Sequence, residues 1–95
     1  MNFSQALEAL KNDNRVTRTG WNGKDMWIAL GGTPVTLDAE KFWNRHSRAH
    51  AEANGGTAIV DPYIIMKTAQ GSIQMGWLAS QADLLAEDWE VVATV

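Results

Sequence analysis

The sequence predicts an α+β fold: a small antiparallel β-sheet with a short N-terminal helix, an inserted amphipathic helix and a short helix before the last strand. Three observations predict it. Short apolar or alternating runs, separated by Gly, Pro and Asn turn signals, read as strands. Helical periodicity appears over Phe3–Leu10 and again from about Ala39 to Ala53. Between Gly76 and Trp89 one apolar run ends, a capped helix follows, and another apolar run begins.

Taken in order, Asn2 caps the first helix and Gln5, three residues on, completes a capping box. Phe3, Ala6, Leu7 and Leu10 form one apolar stripe, and Lys11-Asn12-Asp13-Asn14 ends the element. Arg15 to Arg18 alternates as a half-buried strand does, with Val16 inward. Asn22-Gly23 predicts a tight turn, since both residues tolerate positive φ, and Trp27 to Leu30 is the returning strand. Gly31-Gly32-Thr33-Pro34 breaks it. Asp38 is the expected N-cap of a helix from about Ala39 to Ala53, ended by Asn54-Gly55-Gly56. Phe42, Trp43, His46, Ala49, His50 and Ala53 would be its packing face, against a sheet or another subunit, with Glu40, Arg45, Arg48 and Glu52 outward. Tyr63 to Thr68 and Ser72 to Met75 read as a hairpin around Ala69-Gln70-Gly71, with glycine in the left-handed position. Ser80 and Asp83 frame a second capping box before Leu84 and Leu85, and Trp89 to Val92 is the last strand. No repeat, linker or low-complexity segment marks a boundary, so the 95 residues are expected to form one domain.

A chain of this length buries roughly 60–68% of the surface of its unfolded form. Five tryptophans are many for it, so oligomerisation or a ligand covering some of the indoles is expected. There is no cysteine, which excludes disulfides, zinc–thiolate sites and thiol catalysis. Neither a secretory leader nor a run long enough to span a membrane is visible. A net charge of −3 opposes DNA, RNA and anionic membranes as partners, so an anionic ligand would need a few local donors.

His46 and His50 have the i, i+4 spacing of zinc proteases, yet Ser47 stands where the general-base glutamate would be, and no third ligand is marked. Satisfied or interface histidines are the better reading. Ser80 is better explained as a cap than as a nucleophile, and no nucleophile-elbow, Walker or dinucleotide fingerprint occurs. Stacking has more support. Trp21 and Trp77 each follow a glycine at a turn, and with Lys24, Lys67 and the helix N-terminus at Ser80 they could hold a base and a phosphate. Both indoles as core is the competing reading.

Two pairs of segments carry a resemblance. Phe3-Ser4-Gln5-Ala6-Leu7-Glu8-Ala9-Leu10 and Arg18-Thr19-Gly20-Trp21-Asn22-Gly23-Lys24-Asp25-Met26-Trp27-Ile28 resemble the N-terminal half of the second type of Thoeris anti-defence protein. Tyr63-Ile64-Ile65-Met66-Lys67-Thr68-Ala69-Gln70-Gly71 and the run from Trp77 to Trp89 resemble its second half. The resemblance says least over Ala39 to Ala53. It implies a small phage binding protein, not an enzyme and without cofactor. Such a protein would be a homotetramer that sequesters cyclic ADP-ribose isomers made by TIR-domain enzymes in the cytoplasm of the infected host. Some members also hold cyclic dinucleotides in a separate pocket. On this sequence the resemblance points to Trp21, Asn22, Lys67, Thr68, Trp77, Ser80, Gln81 and Asp83 as ligand-binding residues. In that reading Trp21 and Trp77 stack, Lys67 and N–H groups near Ser80 meet phosphate, and Asn22, Gln81 and Asp83 bond sugar or base edges. A protein-interaction module with tryptophan anchors, and a hydrolase of nucleotide signals, are the alternatives.

Overall fold

A computed structural model describes residues 1–32 and 34–93. In chain order its elements are α1 (Phe3–Lys11), β1 (Arg15–Arg18), β2 (Trp27–Leu30), β3 (Val35–Asp38), a 3-10 turn (Ala39–Lys41), α2 (Arg45–Ala53), β4 (Thr57–Val60), β5 (Ile64–Lys67), β6 (Ile73–Met75), α3 (Gln81–Leu85) and β7 (Trp89–Val92). The fold is α+β, as expected. The chain divides into two compact units, one formed by residues 1–31 with the stretch from Tyr63 onward, the other by Gly32–Pro62.

The first unit holds a five-stranded sheet in the order β6-β5-β2-β1-β7, every neighbouring pair antiparallel. Val16 pairs with Ile28 and with Val91, and Ile28 pairs with Met66. Because alternate residues of a strand share a face, Val16, Ile28 and Met66 make one apolar row across three strands. Helix α1 lies on that row with Ala6 and Leu10 inward, and Trp89 completes the core. Leu10, Val16, Ile28 and Trp89 are fully buried, each worth about 1.5–3 kcal/mol relative to exposure. The cap of α1 is the predicted box: Asn2 Oδ1 accepts from Gln5 N–H and Gln5 Oε1 from Asn2 N–H, both at 2.9 Å.

Two turns of this unit were expected differently or as found. Asn22-Gly23 is not a two-residue hairpin turn. β1 and β2 are joined by a loop from Thr19 to Met26, whose left-handed residue is Asp25 at φ 57°. Gly23 serves by smallness instead, since a Cβ there would stand 2.7 Å from the Ala69 Cβ. The β5–β6 hairpin is as expected: Gly71 has φ 89°, and Thr68 N–H donates to Ser72 O at 2.9 Å.

The second unit corrects the sequence reading. The helix expected from Ala39 to Ala53 is broken, and Asp38 caps nothing; it ends β3, which pairs with β4 as a two-stranded antiparallel sheet. Helix α2 starts at Arg45, capped by Asn44, whose side-chain oxygen accepts from His46 N–H at 2.9 Å and Ser47 N–H at 3.2 Å. Phe42 between them is extended, and its carbonyl is taken by the Arg48 guanidinium at 3.1 Å, so the helical ladder has a competitor there. Of the two expected uses of that face, packing on a sheet of this chain is not found. Ala51 is the buried residue of α2, while Trp43, His46, Ala49, His50 and Ala53 are exposed and Phe42 is half-buried. Asn54 and the left-handed Gly55 and Gly56 end the helix as predicted, with Gly56 N–H donating to Ala51 O at 2.9 Å.

Candidate functional site

The same parity that turns Val16, Ile28 and Met66 toward α1 turns their neighbours away from it. Arg15 and Thr17 on β1, Trp27 on β2, Lys67 on β5, and Glu90 and Val92 on β7 share the outer face; Trp27 is the cross-strand partner of Lys67, Thr17 of Glu90, and Arg15 of Val92. With the Thr19–Met26 loop they line an open groove of about 670 Å³. Small-molecule sites commonly occupy roughly 300–1,000 Å³.

Its charges are not equivalent. Arg18 is paired twice, to Asp83 at 2.7 Å and Asp88 at 2.8 Å, and these are the two ion pairs among the described residues. Arg15, Lys24 and Lys67 line the same groove outside any such pair. Lys67 Nζ donates to the Asp25 carbonyl at 2.8 Å and an Arg15 Nη to the Ala93 carbonyl at 2.7 Å, neutral acceptors that fix the side chains and leave their charge uncancelled. The Arg15 guanidinium carbon stands over the Trp27 ring, 5.3 Å from its centroid. Asp25 and Glu90 also contribute to the lining, so the positive field is local.

Behind one wall lies a hub built on Asp83. The residue is 7% exposed. One carboxylate oxygen accepts from Arg18 at 2.7 Å and from the Trp21 indole N–H at 3.0 Å; the other accepts from Ser80 N–H at 3.0 Å. Ser80 Oγ accepts from Asp83 N–H at 3.1 Å, which closes the predicted capping box. The Trp89 indole donates to the Asp83 carbonyl at 2.9 Å. Burial alone would raise the Asp83 pKa. The Trp21, Arg18 and Ser80 donors outweigh it and hold the carboxyl at about 2. Asp88 is likewise lowered, first by Arg18 against a smaller opposing effect of burial, with help from Gly20 N–H at 2.7 Å. Two carboxylates therefore tie β1 and the start of the groove loop to α3 and the approach to β7.

Of the residues named from sequence, Trp21, Asn22 and Lys67 line the groove. Trp77, Thr68, Ser80, Gln81 and Asp83 do not. Trp21 and Trp77 are half-buried and meet each other and Trp89 edge to face, with centroids 5.3–6.4 Å apart. They stand as a three-indole cluster against the core, not as two parallel open faces. Thr68 Oγ1 is engaged with Ser72 Oγ at 2.7 Å inside the hairpin, Ser80 is the α3 cap, and Gln81 is exposed. Arg15 and Trp27, which the sequence reading did not name as candidates, also line the groove. The signal was available in strand parity, once the neighbours of β1 and β2 are known.

In the second unit a separate groove of about 630 Å³ is lined by Phe42, His46, Ser47, His50, Asn54, Ala58 and Ile59. Both histidines are exposed, and no group of three or more His, Cys, Asp or Glu that could hold a metal occurs among the described residues. No helix among them is long and apolar enough to cross a membrane.

Fold and groove together define a small antiparallel α+β protein with a cationic, indole-bearing groove on the outer sheet face. The chain belongs to the Thoeris anti-defense 2-like family, whose Tad2-like domain model matches residues 1–92. It is 38% identical over 97 residues to Thoeris anti-defense 2 of Bacillus phage SP01, covering 98% of this chain and 96% of that one. The family is thus an anti-defence family with a phage member.

Proposed function

We propose that this protein is a phage anti-defence protein that binds cyclic nucleotide immune signals and sequesters them without cleaving them. Its ligands are cyclic ADP-ribose isomers made by TIR-domain enzymes, with cyclic dinucleotides as a second class. The whole chain acts as one signal-sequestering domain, assembled as a homotetramer in the cytoplasm of the infected host, with no cofactor and no nucleic-acid or membrane partner. Membership of the anti-defence family supports the role. The groove carries the chemistry: Arg15, Lys24 and Lys67, none of them in an ion pair among the described residues, beside Trp27.

A cyclic ADP-ribose offers a pyrophosphate and a purine. In a chain of net charge −3, the pyrophosphate must be held by local cations, and the groove concentrates three of them on one face. Sequestration requires tight, stoichiometric binding. A nanomolar dissociation constant corresponds to about −12 kcal/mol, which base stacking of about 1–3 kcal/mol per face and several charge-assisted contacts of about 1.5–3 kcal/mol can together approach. Ser80 Oγ is committed to its cap, which supports binding without turnover.

The test is retention. The protein is incubated with the products of a TIR-domain enzyme acting on NAD, freed of unbound nucleotide and heat-denatured, and the supernatant is read by mass spectrometry. Intact cyclic ADP-ribose near one equivalent per site is the expected result; altered nucleotide would mean an enzyme, and none would refute the binding reading.

A second reading, a non-enzymatic interaction module, is favoured by Trp43, which is 90% exposed ahead of α2. In the tetramer reading that indole, with Phe42, His46 and Ala49, is the subunit contact. Light scattering at micromolar protein separates these: a particle of about four chain masses supports the contact, and a monomer refutes it.

A further inference from the structure

We propose that Asn22-Gly23 is a self-modifying site, at which the asparagine converts without an enzyme to aspartate or isoaspartate and so places a new negative charge in the cationic groove. The effect on ligands rests on the groove being the nucleotide site; the conversion itself does not. Asn2, Asn12, Asn14 and Asn44 are followed by Phe3, Asp13, Arg15 and Arg45, whose side chains crowd the main-chain nitrogen. Asn22 and Asn54 are each followed by glycine, which leaves that nitrogen open to close approach.

The fold treats these two differently. Asn54 is the C-cap of α2: its main-chain N–H donates to His50 O at 2.9 Å and Ala51 O at 3.1 Å, and its side-chain amide donates to Thr57 O at 3.0 Å. Main chain and amide are both held. Asn22 is exposed, in the irregular loop between β1 and β2. Among the described residues, the side-chain hydrogen bonds of that loop come from Thr19 and Trp21, and none from Asn22.

The step needs only water. The Gly23 nitrogen attacks Cγ of Asn22, and the new N–Cγ bond closes a five-membered succinimide. The Cγ–Nδ2 bond breaks, and the glycine's proton leaves with the amide nitrogen as ammonia. Water then opens the ring. Addition at Cγ gives aspartate; addition at the main-chain carbonyl carbon gives isoaspartate, in which the chain runs through Cβ and Cγ. One amide and one water have become one carboxylic acid and one ammonia, and the acid, with an ordinary pKa of about 3.9, is ionised near neutral pH. The groove feels it in two ways. Its lining sets Arg15, Arg18, Lys24 and Lys67 against Asp25 and Glu90, so one more carboxylate beside Lys24 halves the excess of positive charge. Isoaspartate also lengthens the main chain beside Gly23, where a Cβ would already stand 2.7 Å from the Ala69 Cβ. Displacement there reaches Asp25, whose carbonyl holds Lys67 Nζ at 2.8 Å.

The first test reads the conversion directly. Folded protein is aged at mildly alkaline pH beside a urea-unfolded sample and digested in acid. Each Asn-Gly peptide is then read by mass spectrometry, with isoaspartate scored by isoaspartate-specific methylation. Asn22 is expected to convert several times faster than Asn54 in the folded protein, and at a similar rate in urea. Asn54 converting as fast as Asn22 when folded, or an Asn22 that keeps its amide while the unfolded sample loses it, would overturn the site. The second test is calorimetry of Asn22→Asp and Asn22→Ala with the cyclic ADP-ribose isomer that the wild-type protein retains. The aspartate variant is expected to bind about five- to tenfold more weakly than wild type, and more weakly than the alanine variant, which removes the amide without adding charge. Equal losses in the two variants, or none in Asn22→Asp, would overturn the effect on the groove. A wild-type protein that retains no cyclic ADP-ribose would overturn the nucleotide reading and that effect with it, while the peptides decide the conversion on their own.

Discussion

Replacing Asp83 by asparagine should cost the protein stability in a pH-dependent way that no surface residue would reproduce. The carboxylate accepts three hydrogen bonds, from Arg18, the Trp21 indole and Ser80 N–H. An asparagine amide has one oxygen, so at least one donor is left facing an NH2 group, and the remaining bonds lose their charge assistance. Hydrogen bonds to charged groups contribute about 1.5–3 kcal/mol, and a loss of about 2–3 kcal/mol is expected near neutral pH. For a domain of this size that corresponds to a melting temperature lower by roughly 10–20 °C. Linkage gives an independent magnitude. Asp83 is lowered from 3.8 to about 2 in the folded state, so between those values the unfolded chain binds more protons. The stabilisation is fully present above the unfolded value and disappears as pH falls through the folded one. It amounts to about 2 kcal/mol near pH 5, of which roughly half is gone near pH 3. Urea denaturation followed by tryptophan fluorescence, on wild type and Asp83→Asn near pH 7, 5 and 3, would read it. The gap between the two proteins should narrow on acidification, because only the wild type titrates. A gap that stays constant down to pH 3, or one below about 0.5 kcal/mol at neutrality, would show that Asp83 is not the hub.

Trp77→Ala should lower stability by about 2–4 kcal/mol, since it removes an indole packed against two others. An unchanged melting temperature with loss of retained ligand would instead place Trp77 in the binding site. Lys67→Ala should leave melting nearly unchanged and weaken cyclic ADP-ribose binding about ten- to a hundredfold, as calorimetry would read; equal affinity would remove Lys67 from the site. Gly71→Ala should cost about 1 kcal/mol by denaturant titration, because its φ of 89° strains any side chain although the space around it is open. A neutral effect there would mean that the hairpin relaxes into another turn.

Local signals in the sequence fared better than distant ones, for a physical reason. The two capping boxes, Asn2 with Gln5 and Ser80 with Asp83, are contacts within one helical turn, and both form as read. The bounds of β1, β2 and β7 also agree with their apolar runs, and Gly71 takes the left-handed position. The strands β3 and β4 were not foreseen, because Val35–Asp38 gains its partner only at Thr57–Val60, across the whole of α2. The helix expected over Ala39 to Ala53 failed for a related reason: its periodicity is real, but the Arg48 bond to Phe42 and the Asn44 cap reset its start. The candidate groove shows the same division. Trp21, Asn22 and Lys67 could be picked out by type and turn context. Arg15 and Trp27 become neighbours only when β1 is set beside β2, and no property of either residue announces that.

Gly31 and Tyr63 have a consequence for how this chain can be edited. Gly31 N–H donates to Tyr63 O at 2.7 Å, directly beyond the Leu30–Ile64 pair that ends the β2–β5 ladder. A Cβ at Gly31 would run into the Tyr63 ring, so the two strands close tightly there. In chain topology, everything from Gly32 to Pro62 is a cassette spliced into the tip of one hairpin, entering and leaving at adjacent residues. All six residues of the buried core cluster lie outside it. Shortening or exchanging that segment is therefore expected to leave the register of the five-stranded sheet in place, which amide hydrogen exchange over β2 and β5 would check. Sequence could then diversify in the cassette while the five-stranded sheet and its outer groove stay as they are.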